Sequence, residues 1–231
     1  MTLGIMQPYF MPYIGYWQLM AAVDTYVVYD NIQYSKGGWI NRNRMLQNGK
    51  DVIFTISLKK DSDYLDVCQR EISFDFNKQK LLNQITQNYH KAPFFEEIYP
   101  TICQCVTHDE TNLFNYIYYS ITQIRELLAI DSDLIISSCV KIDHSLKGQD
   151  KVLSICKELG ADKYVNAIGG QELYDKSIFE NNGVKLNFLQ TCPIIYPQYK
   201  NVFVSNLSII DVLMFNGKER TKQLLNEFTL V

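Results

Sequence analysis

The chain has 231 residues, of which 47% are hydrophobic and 20% are charged, and its formal net charge is −3. This composition is ordinary for a globular protein, and the length allows a substantial core. Because the chain carries no overall positive charge, composition argues against binding to nucleic acid or to an anionic membrane surface. No apolar run approaches the roughly 20 residues that a membrane-spanning helix requires.

The cysteines and the first residues bear on the cellular compartment. Six cysteines without a preceding signal peptide indicate reduced thiols, so we expect a cytoplasmic protein. The first residues lack a basic segment and a cleavage site and are therefore predicted to be mature structure. Cys103, Cys105 and His108 lack a fourth zinc ligand, so we predict no metal site, and the sequence indicates no particular cofactor.

The beginning of the chain predicts a strand, a helix and a second strand joined as a parallel crossover. The elements predicted before residue 77 are strand Leu3–Met6, helix Ile14–Val23, strand Thr25–Tyr29, a loop over Gln33–Arg44, strand Asp51–Leu58 and a short edge strand Glu71–Phe76. Apolar residues three and four apart then predict an all-helical insertion at about residues 77–131. Its helices are predicted at Lys78–Tyr89, Phe94–Val106 and Glu110–Ile130.

Strands and helices alternate again in the last hundred residues. The predicted elements are strand Leu134–Ser138, helix Lys147–Leu159, strand Lys163–Asn166, helix Glu172–Asn181, strand Val184–Leu189, and helices Leu207–Met214 and Lys218–Phe228. No repeat or linker interrupts this pattern. We therefore predict one α/β domain over residues 1–231, a Rossmann-like, doubly wound and mostly parallel sheet with a helical insertion.

The first candidate site follows the first strand. Pro8 and Pro12 end the strand, because proline cannot continue a paired strand or a helix interior. Polar or half-polar side chains surround this bend, namely Gln7, Tyr9, Tyr13 and Tyr16. Gly15 would let a second backbone or a ligand approach closely. Open α/β sheets bind ligands at such strand ends, so we predict a binding site, with a core-packing aromatic cluster as the alternative.

The second strand leads into a polar segment. Asp30 ends that strand, where a carboxylate could act as a general base, bind an amine or hold a metal, although it could equally cap the next turn. The loop that follows is rich in hydrogen-bond donors that suit a phosphate, a carboxylate or sugar hydroxyls. Its candidate binding residues are Gln33, Tyr34, Trp39, Asn41, Arg42 and Arg44. A solvated hairpin is the alternative, and we expect the loop to share one cleft with the first bend.

Two further turns lie between a predicted strand and a predicted helix. His144 and Lys147 precede a helix whose first turn could attract an anion, so His144 is a candidate acid or base and Lys147 a candidate phosphate ligand. A plain surface histidine is the alternative. Gly169 and Gly170 would let a ligand approach the backbone, although a tight turn alone would explain them.

Five stretches of the sequence resemble the WbqC-like family. They are Met6–Tyr16, Tyr29–Tyr34, Gly38–Asn43, Lys157–Tyr164 and Leu207–Leu213, so the likeness covers nearly the whole chain. The resemblance implies a bacterial protein of surface-polysaccharide (O-antigen) gene clusters, and a glycine-transferase role.

The leading hypothesis is therefore a transferase that places an aminoacyl, glycyl or related acyl group on a nucleotide-linked amino sugar. Asp30 or His144 would take the amine proton, and Arg42, Arg44 and Lys147 would hold phosphates. One alternative is a nucleotidyltransferase, because Tyr13-Ile14-Gly15-Tyr16 occupies the place of that fold's His-Ile-Gly-His motif, although both histidines are tyrosines here. The other alternative is a non-catalytic sugar-nucleotide binding protein. The oligomeric state is left open.

Overall fold

The computed structural model describes residues 1–231. The strands are β1 (Thr2–Met6), β2 (Thr25–Val28), β3 (Arg42–Gln47), β4 (Lys50–Thr55), β5 (Asp133–Ile136), β6 (Lys163–Ala167), β7 (Lys185–Thr191) and β8 (Phe228–Leu230). The helices are α1 (Ile14–Ala21), α2 (Lys78–Tyr89), α3 (Phe95–Thr107), α4 (Leu113–Leu127), α5 (Gly148–Glu158), α6 (Lys176–Asn181) and α7 (Ile209–Leu224). None of these helices is both long enough and apolar enough to cross a membrane.

Six strands form the main sheet, in the order β5-β2-β1-β6-β7-β8. The first five are parallel, and β8 runs antiparallel on the edge of β7. The strand order reverses between β1 and β6, which is the arrangement of a doubly wound sheet and the place where such sheets bind ligands. The prediction of a Rossmann-like, mostly parallel α/β fold is therefore confirmed.

Helices cover the sheet on both faces, which explains why its central strands are apolar. All four residues of β2 are buried, as expected for a strand covered on both faces. A cluster of 45 buried residues joins α1, the helices α2 to α4, and α7. A second cluster of 12 buried residues joins β1 and β6 to α5 and α6.

A β-hairpin replaces part of the predicted loop. Arg42–Arg44, the end of the loop predicted over Gln33–Arg44, instead begin β3, which pairs antiparallel with β4 apart from the main sheet. Asn48 and Gly49 connect the two strands with φ angles of 50° and 76°. Positive φ at both positions matches a type I′ turn, for which Asn-Gly is a strong sequence signal. The loop prediction was wrong here because it gave that signal too little weight.

Two smaller predictions were also wrong. Glu71–Phe76 forms no strand, because its pairing is limited to isolated bridges from Glu71 and Ile72. The last helix ends at Leu224 instead of Phe228, and the chain then adds β8, which is too short to show alternation in the sequence. The predicted break at Gly217 is present, with φ 66° and ψ 177° inside α7.

Candidate functional site

A cleft of about 330 Å³ lies beside the bend that follows β1. We call it the aromatic cleft, and it is lined by Tyr9, Pro12, Tyr13, Trp39, Asn43, Arg44 and Asn206. Four of these residues, Tyr9, Tyr13, Trp39 and Arg44, were candidate ligand contacts from the sequence alone. The cleft joins the bend after β1 to residues of the predicted loop, and it adds Asn206 from the far end of the chain.

Hydrogen bonds from distant segments hold the bend in place. The carbonyl oxygen of Met11 accepts from Asn43 Nδ2 at 2.7 Å and from Ser208 Oγ at 2.7 Å. The Pro12 carbonyl accepts from Trp17 Nε1 at 3.1 Å and from the Ile209 N–H at 3.0 Å. Because these donors are buried, the wall of the cleft is formed before any ligand arrives.

Two guanidinium groups lie against Trp39, whose side chain is 44% exposed. The guanidinium carbons of Arg42 and Arg44 lie 5.4 and 5.5 Å from the centroid of the Trp39 ring, within cation–π distance. Arg42 Nε donates to the Gly38 carbonyl at 2.8 Å, and Arg44 Nη2 donates to the Asn206 carbonyl at 3.0 Å. An aromatic face beside positive charge suits a ligand that combines a ring with an anionic group.

The phenols of the cleft are donors at neutral pH. Burial raises the pKa of Tyr9 to about 12, with a further contribution from neighbouring Tyr13, and burial also raises the pKa of Tyr13. Tyr9 donates its hydroxyl hydrogen to Gln7 Oε1 at 3.1 Å, which brings the candidate Gln7 next to the cleft. No carboxylate lines the cleft, so its own groups can bind and orient a ligand but offer no carboxylate base.

Two predicted binding residues, Tyr16 and Asn41, are buried. Tyr16 is 1% exposed and packs against the rings of Tyr9, Trp17 and Tyr26, so the expectation that it contacts a ligand is corrected: its ring belongs to the core. Asn41 is also buried, accepting from the Tyr34 hydroxyl at 2.8 Å and donating to the Ile56 carbonyl at 2.8 Å.

The remaining loop residues also lie outside the aromatic cleft. Gln33 is exposed and donates to the Asp63 carbonyl at 2.9 Å. Of the residues expected to share one cleft, namely Gln7, Tyr9, Asp30, Tyr34, Asn41 and Arg42, only Tyr9 lines the aromatic cleft itself. Among the others, Asp30 accepts from residues 137 and 138, Tyr34 donates to Asn41, and Arg42 donates to the Gly38 carbonyl.

A second polar group, the Asn31 cluster, comprises Asp30, Asn31, Ser137, His144 and Lys151. Asp30 is 3% exposed and accepts from Ser137 Oγ at 2.8 Å and from the Ser138 N–H at 2.9 Å. Asn31 Nδ2 lies 2.9 Å from His144 Nδ1, and His144 Nε2 lies 3.0 Å from the Val140 carbonyl. The structure thus places the two predicted catalytic residues around one asparagine, but both are already hydrogen-bonded. Proton transfer by either stays a prediction.

Lys151 is the member of this cluster that the sequence analysis missed. The residue is 4% exposed, and its Nζ lies 3.3 Å from the Asn31 carbonyl and 4.9 Å from the centroid of the Tyr29 ring. Burial lowers the pKa of Lys151, although Asp66 and Asp30 act in the opposite direction. Lys151 lies four residues before Ile155, so the two share the buried face of α5. This spacing was a sequence signal that could have identified Lys151 as a buried lysine.

Of the other predicted contacts, Lys147 lies in a separate, open groove, which Gly169 and Gly170 do not line. Lys147 is exposed at the start of α5 and lines this groove with residues 148, 149 and 171–176. Gly169 and Gly170 begin a short 3₁₀ helix. A Cβ on Gly170 would meet the Asn166 side chain at 3.2 Å, whereas a Cβ on Gly169 would meet nothing within 4 Å. Neither glycine lines the aromatic cleft.

Gly15 gives a direct test of the cleft. A Cβ on Gly15 would lie 2.5 Å from the hydroxyl end of the Tyr13 ring, so Gly15→Ala must displace that ring. We expect calorimetry to show at least a severalfold loss of affinity for a cleft ligand. The melting temperature should be unchanged or higher, because alanine favours a helix over glycine by about 1 kcal/mol.

The double variant supplies the control for Gly15→Ala. In a Tyr13→Ala background the added methyl has no ring to displace, so Gly15→Ala should leave the affinity unchanged. An equal loss of affinity in both backgrounds would show that the effect does not pass through Tyr13.

Comparison with known proteins places the chain in a family. A model of the WbqC-like protein family matches residues 7–223. The chain is also similar to the uncharacterized protein Rv1507c of Mycobacterium tuberculosis (strain ATCC 25618 / H37Rv), with 26% identity over 226 residues, 94% of each chain. No solved structure matches. Because the family model spans nearly the whole fold, including the bend after β1 and the hairpin, the chain belongs to the WbqC-like protein family.

Proposed function

We propose that the protein is a transferase of bacterial surface-polysaccharide (O-antigen) biosynthesis. It passes an aminoacyl, glycyl or related acyl group to the amine of a nucleotide-linked amino sugar. The family resemblance supports the transferase role and the process, and the aromatic cleft supports the class of acceptor.

The observation that carries the proposal is the combination of rings and positive charge in one preformed cleft. Tyr9, Tyr13 and Trp39 contribute aromatic rings to the lining, which suits a sugar ring, and Arg44 contributes a guanidinium that also pairs with Asp51 at 3.3 Å. The volume of about 330 Å³ lies at the lower end of the range for small-molecule sites. The cleft also follows β1, next to the reversal of strand order.

The proposed chemistry needs binding and orientation more than a strong base. With a thioester donor, the sugar amine forms a bond to the acyl carbon, the carbon–sulfur bond breaks, and the amine proton ends on the released thiol. Holding both reactants in contact accounts for a large part of the rate of such a reaction.

All six cysteines are unpaired, which supports a reducing compartment such as the cytoplasm.

Mass spectrometry of the sugar nucleotide tests the proposal. The purified protein is incubated with a panel of nucleotide-linked amino sugars and with glycyl or acyl thioesters, and the expected product carries one added acyl group. Omitting the protein supplies the blank for spontaneous acylation. If a sugar nucleotide binds but remains unmodified with every donor, the protein is a binding protein and not a transferase.

Nucleotidyl transfer has less support. The segment Tyr13-Ile14-Gly15-Tyr16 does begin α1 directly after the bend, but the ring of Tyr16 is buried in the core. It therefore cannot reach a transferring phosphate, which the second histidine of the related motif stabilises. Release of pyrophosphate from a nucleoside triphosphate in the same assay would revive this alternative.

A further inference from the structure

A second cavity, of about 370 Å³, adjoins the aromatic cleft. We call it the apolar pocket, and its lining includes Tyr13, Ile14, Thr191, Ile195, Tyr196 and Asn206. No Asp, Glu, Lys, Arg or His side chain lines the pocket, and most of its side chains are aliphatic or aromatic. The pocket therefore suits an uncharged, apolar group and disfavours a phosphate or carboxylate.

The two cavities share a boundary. Tyr13 and Asn206 line both the aromatic cleft and the apolar pocket. Ile14, the first residue of α1, and Thr191, the last residue of β7, place the pocket at the same carboxyl edge of the sheet as the bend after β1. A ligand group in one cavity therefore lies next to a ligand group in the other.

Residues 192–206 form the outer wall of the pocket, and hydrogen bonds to α7 hold this wall in place. The Tyr196 hydroxyl and Gln198 Nε2 both donate to Asp211 Oδ2, at 2.8 and 2.7 Å. Gln198 also bonds the backbone of Val204, donating to its carbonyl at 3.0 Å and accepting from its N–H at 2.7 Å. Because this wall is fixed to the buried start of α7, the pocket is preformed, and a ligand need not order it.

We infer that the apolar pocket binds the apolar acyl group of the donor while the aromatic cleft holds the acceptor sugar nucleotide. This inference rests on the proposed function and deepens it by naming the class of donor. A glycyl group would leave such a cavity mostly empty. The donors that fit are acyl carriers whose acyl chain has several carbons and no charge.

Calorimetric titration with neutral thioesters tests the inference without any need for turnover. The probes are the acetyl, butanoyl and hexanoyl thioesters of N-acetylcysteamine. Affinity should rise about fourfold for each methylene that enters the pocket, since one buried methylene contributes about 0.8 kcal/mol. The rise should stop when the cavity is full.

Two exposed apolar residues of the same wall supply a matched pair of variants. Ile195 lines the pocket and is 77% exposed, whereas Val202 is 89% exposed and does not line it. Each of the two changes, Ile195→Asp and Val202→Asp, adds one carboxylate. Because both positions are exposed, the melting temperature of each variant should stay close to that of the wild type. Ile195→Asp should lower the affinity for the hexanoyl probe about tenfold or more, and Val202→Asp should not change it.

Binding of a sugar nucleotide, measured separately, distinguishes the possible failures. The inference would be overturned if the thioester affinity did not change with the length of the acyl chain. It would also be overturned if Ile195→Asp and Val202→Asp changed that affinity equally. Loss of sugar-nucleotide binding in Ile195→Asp with the thioester affinity intact would also overturn it, because the nucleoside would then occupy the pocket. If the thioester affinity depends on chain length but no acyl group is transferred, the apolar pocket still binds acyl chains, and only the transferase proposal is wrong.

Discussion

Asp211→Ala is expected to lower the free energy of unfolding by about 3–5 kcal/mol. Asp211 is fully buried in the first turn of α7 and accepts from Tyr89, Tyr196 and Gln198 at 2.7 to 2.9 Å. Removal of the carboxylate leaves three donors without their acceptor, and each orphaned buried donor costs about 1–3 kcal/mol. Urea denaturation of the variant and of the wild type measures the difference.

Tyr196→Phe is the control, because it removes a single hydrogen bond to the same carboxylate. It should cost about 1–2 kcal/mol, well below the loss for Asp211→Ala. Equal losses for the two variants would mean that the carboxylate contributes through Tyr196 alone. A loss below about 1 kcal/mol for Asp211→Ala would contradict the idea that this network braces the wall of the apolar pocket.

The stabilisation by Asp211 should also depend on pH, with a defined sign. Burial raises the pKa of Asp211, although the three hydrogen bonds oppose that rise. A carboxyl group whose pKa is higher in the folded state binds its proton more tightly there, so its contribution is fully present below the unfolded pKa and declines as pH rises through the folded pKa. The difference in stability between wild type and Asp211→Ala should therefore grow on acidification from neutral pH.

Trp39→Ala is expected to weaken binding of a nucleotide-linked amino sugar about ten- to a hundredfold. The indole ring forms one face of the aromatic cleft and lies against the guanidinium groups of Arg42 and Arg44. Its removal deletes the stacking surface and frees both arginines to change position. Calorimetry measures the affinity, and a thermal melt should stay close to that of the wild type because Trp39 is partly exposed.

Phe74→Ala is the matched control for Trp39→Ala. Phe74 is a fully exposed aromatic residue that does not line the cleft, so its removal tests for non-specific contacts of the ligand with surface rings. The affinity should match that of the wild type. If both variants bind the sugar nucleotide as tightly as the wild type does, the aromatic cleft is not its binding site.

The sequence by itself determined the five parallel strands of the main sheet and most of the helices, although it missed β3 and β8. Apolar spacing located α2, α3 and α4 within about three residues of their observed ends, and the β-branched content of β2 identified a buried strand. Gly160 and Gly217 marked helix ends, and both have positive φ. These properties arise from hydrogen bonds and side-chain contacts within a few residues, so the local sequence is sufficient to specify them.

The sequence named four of the residues that line the cleft, but it could not say which candidate residues face it. Tyr13 and Tyr16 look equivalent in the sequence, yet Tyr13 lines the cleft and Tyr16 packs in the core. Side-chain exposure at a helix start depends on what packs there, and here that includes residues about two hundred positions away, such as Ser208. Propensity and periodicity do not encode such contacts.

The tertiary structure alone decided the long-range polar contacts. Asn206 joins the cleft, His144 meets Asn31, and Asp211 receives the Tyr89 and Tyr196 hydroxyls, all across gaps in sequence that no local pattern spans. A buried polar group must find a partner, but the sequence does not say which of many candidates it will be. The packing of α7 against the bend and the helical block makes that choice, because it determines which donors and acceptors are excluded from water together.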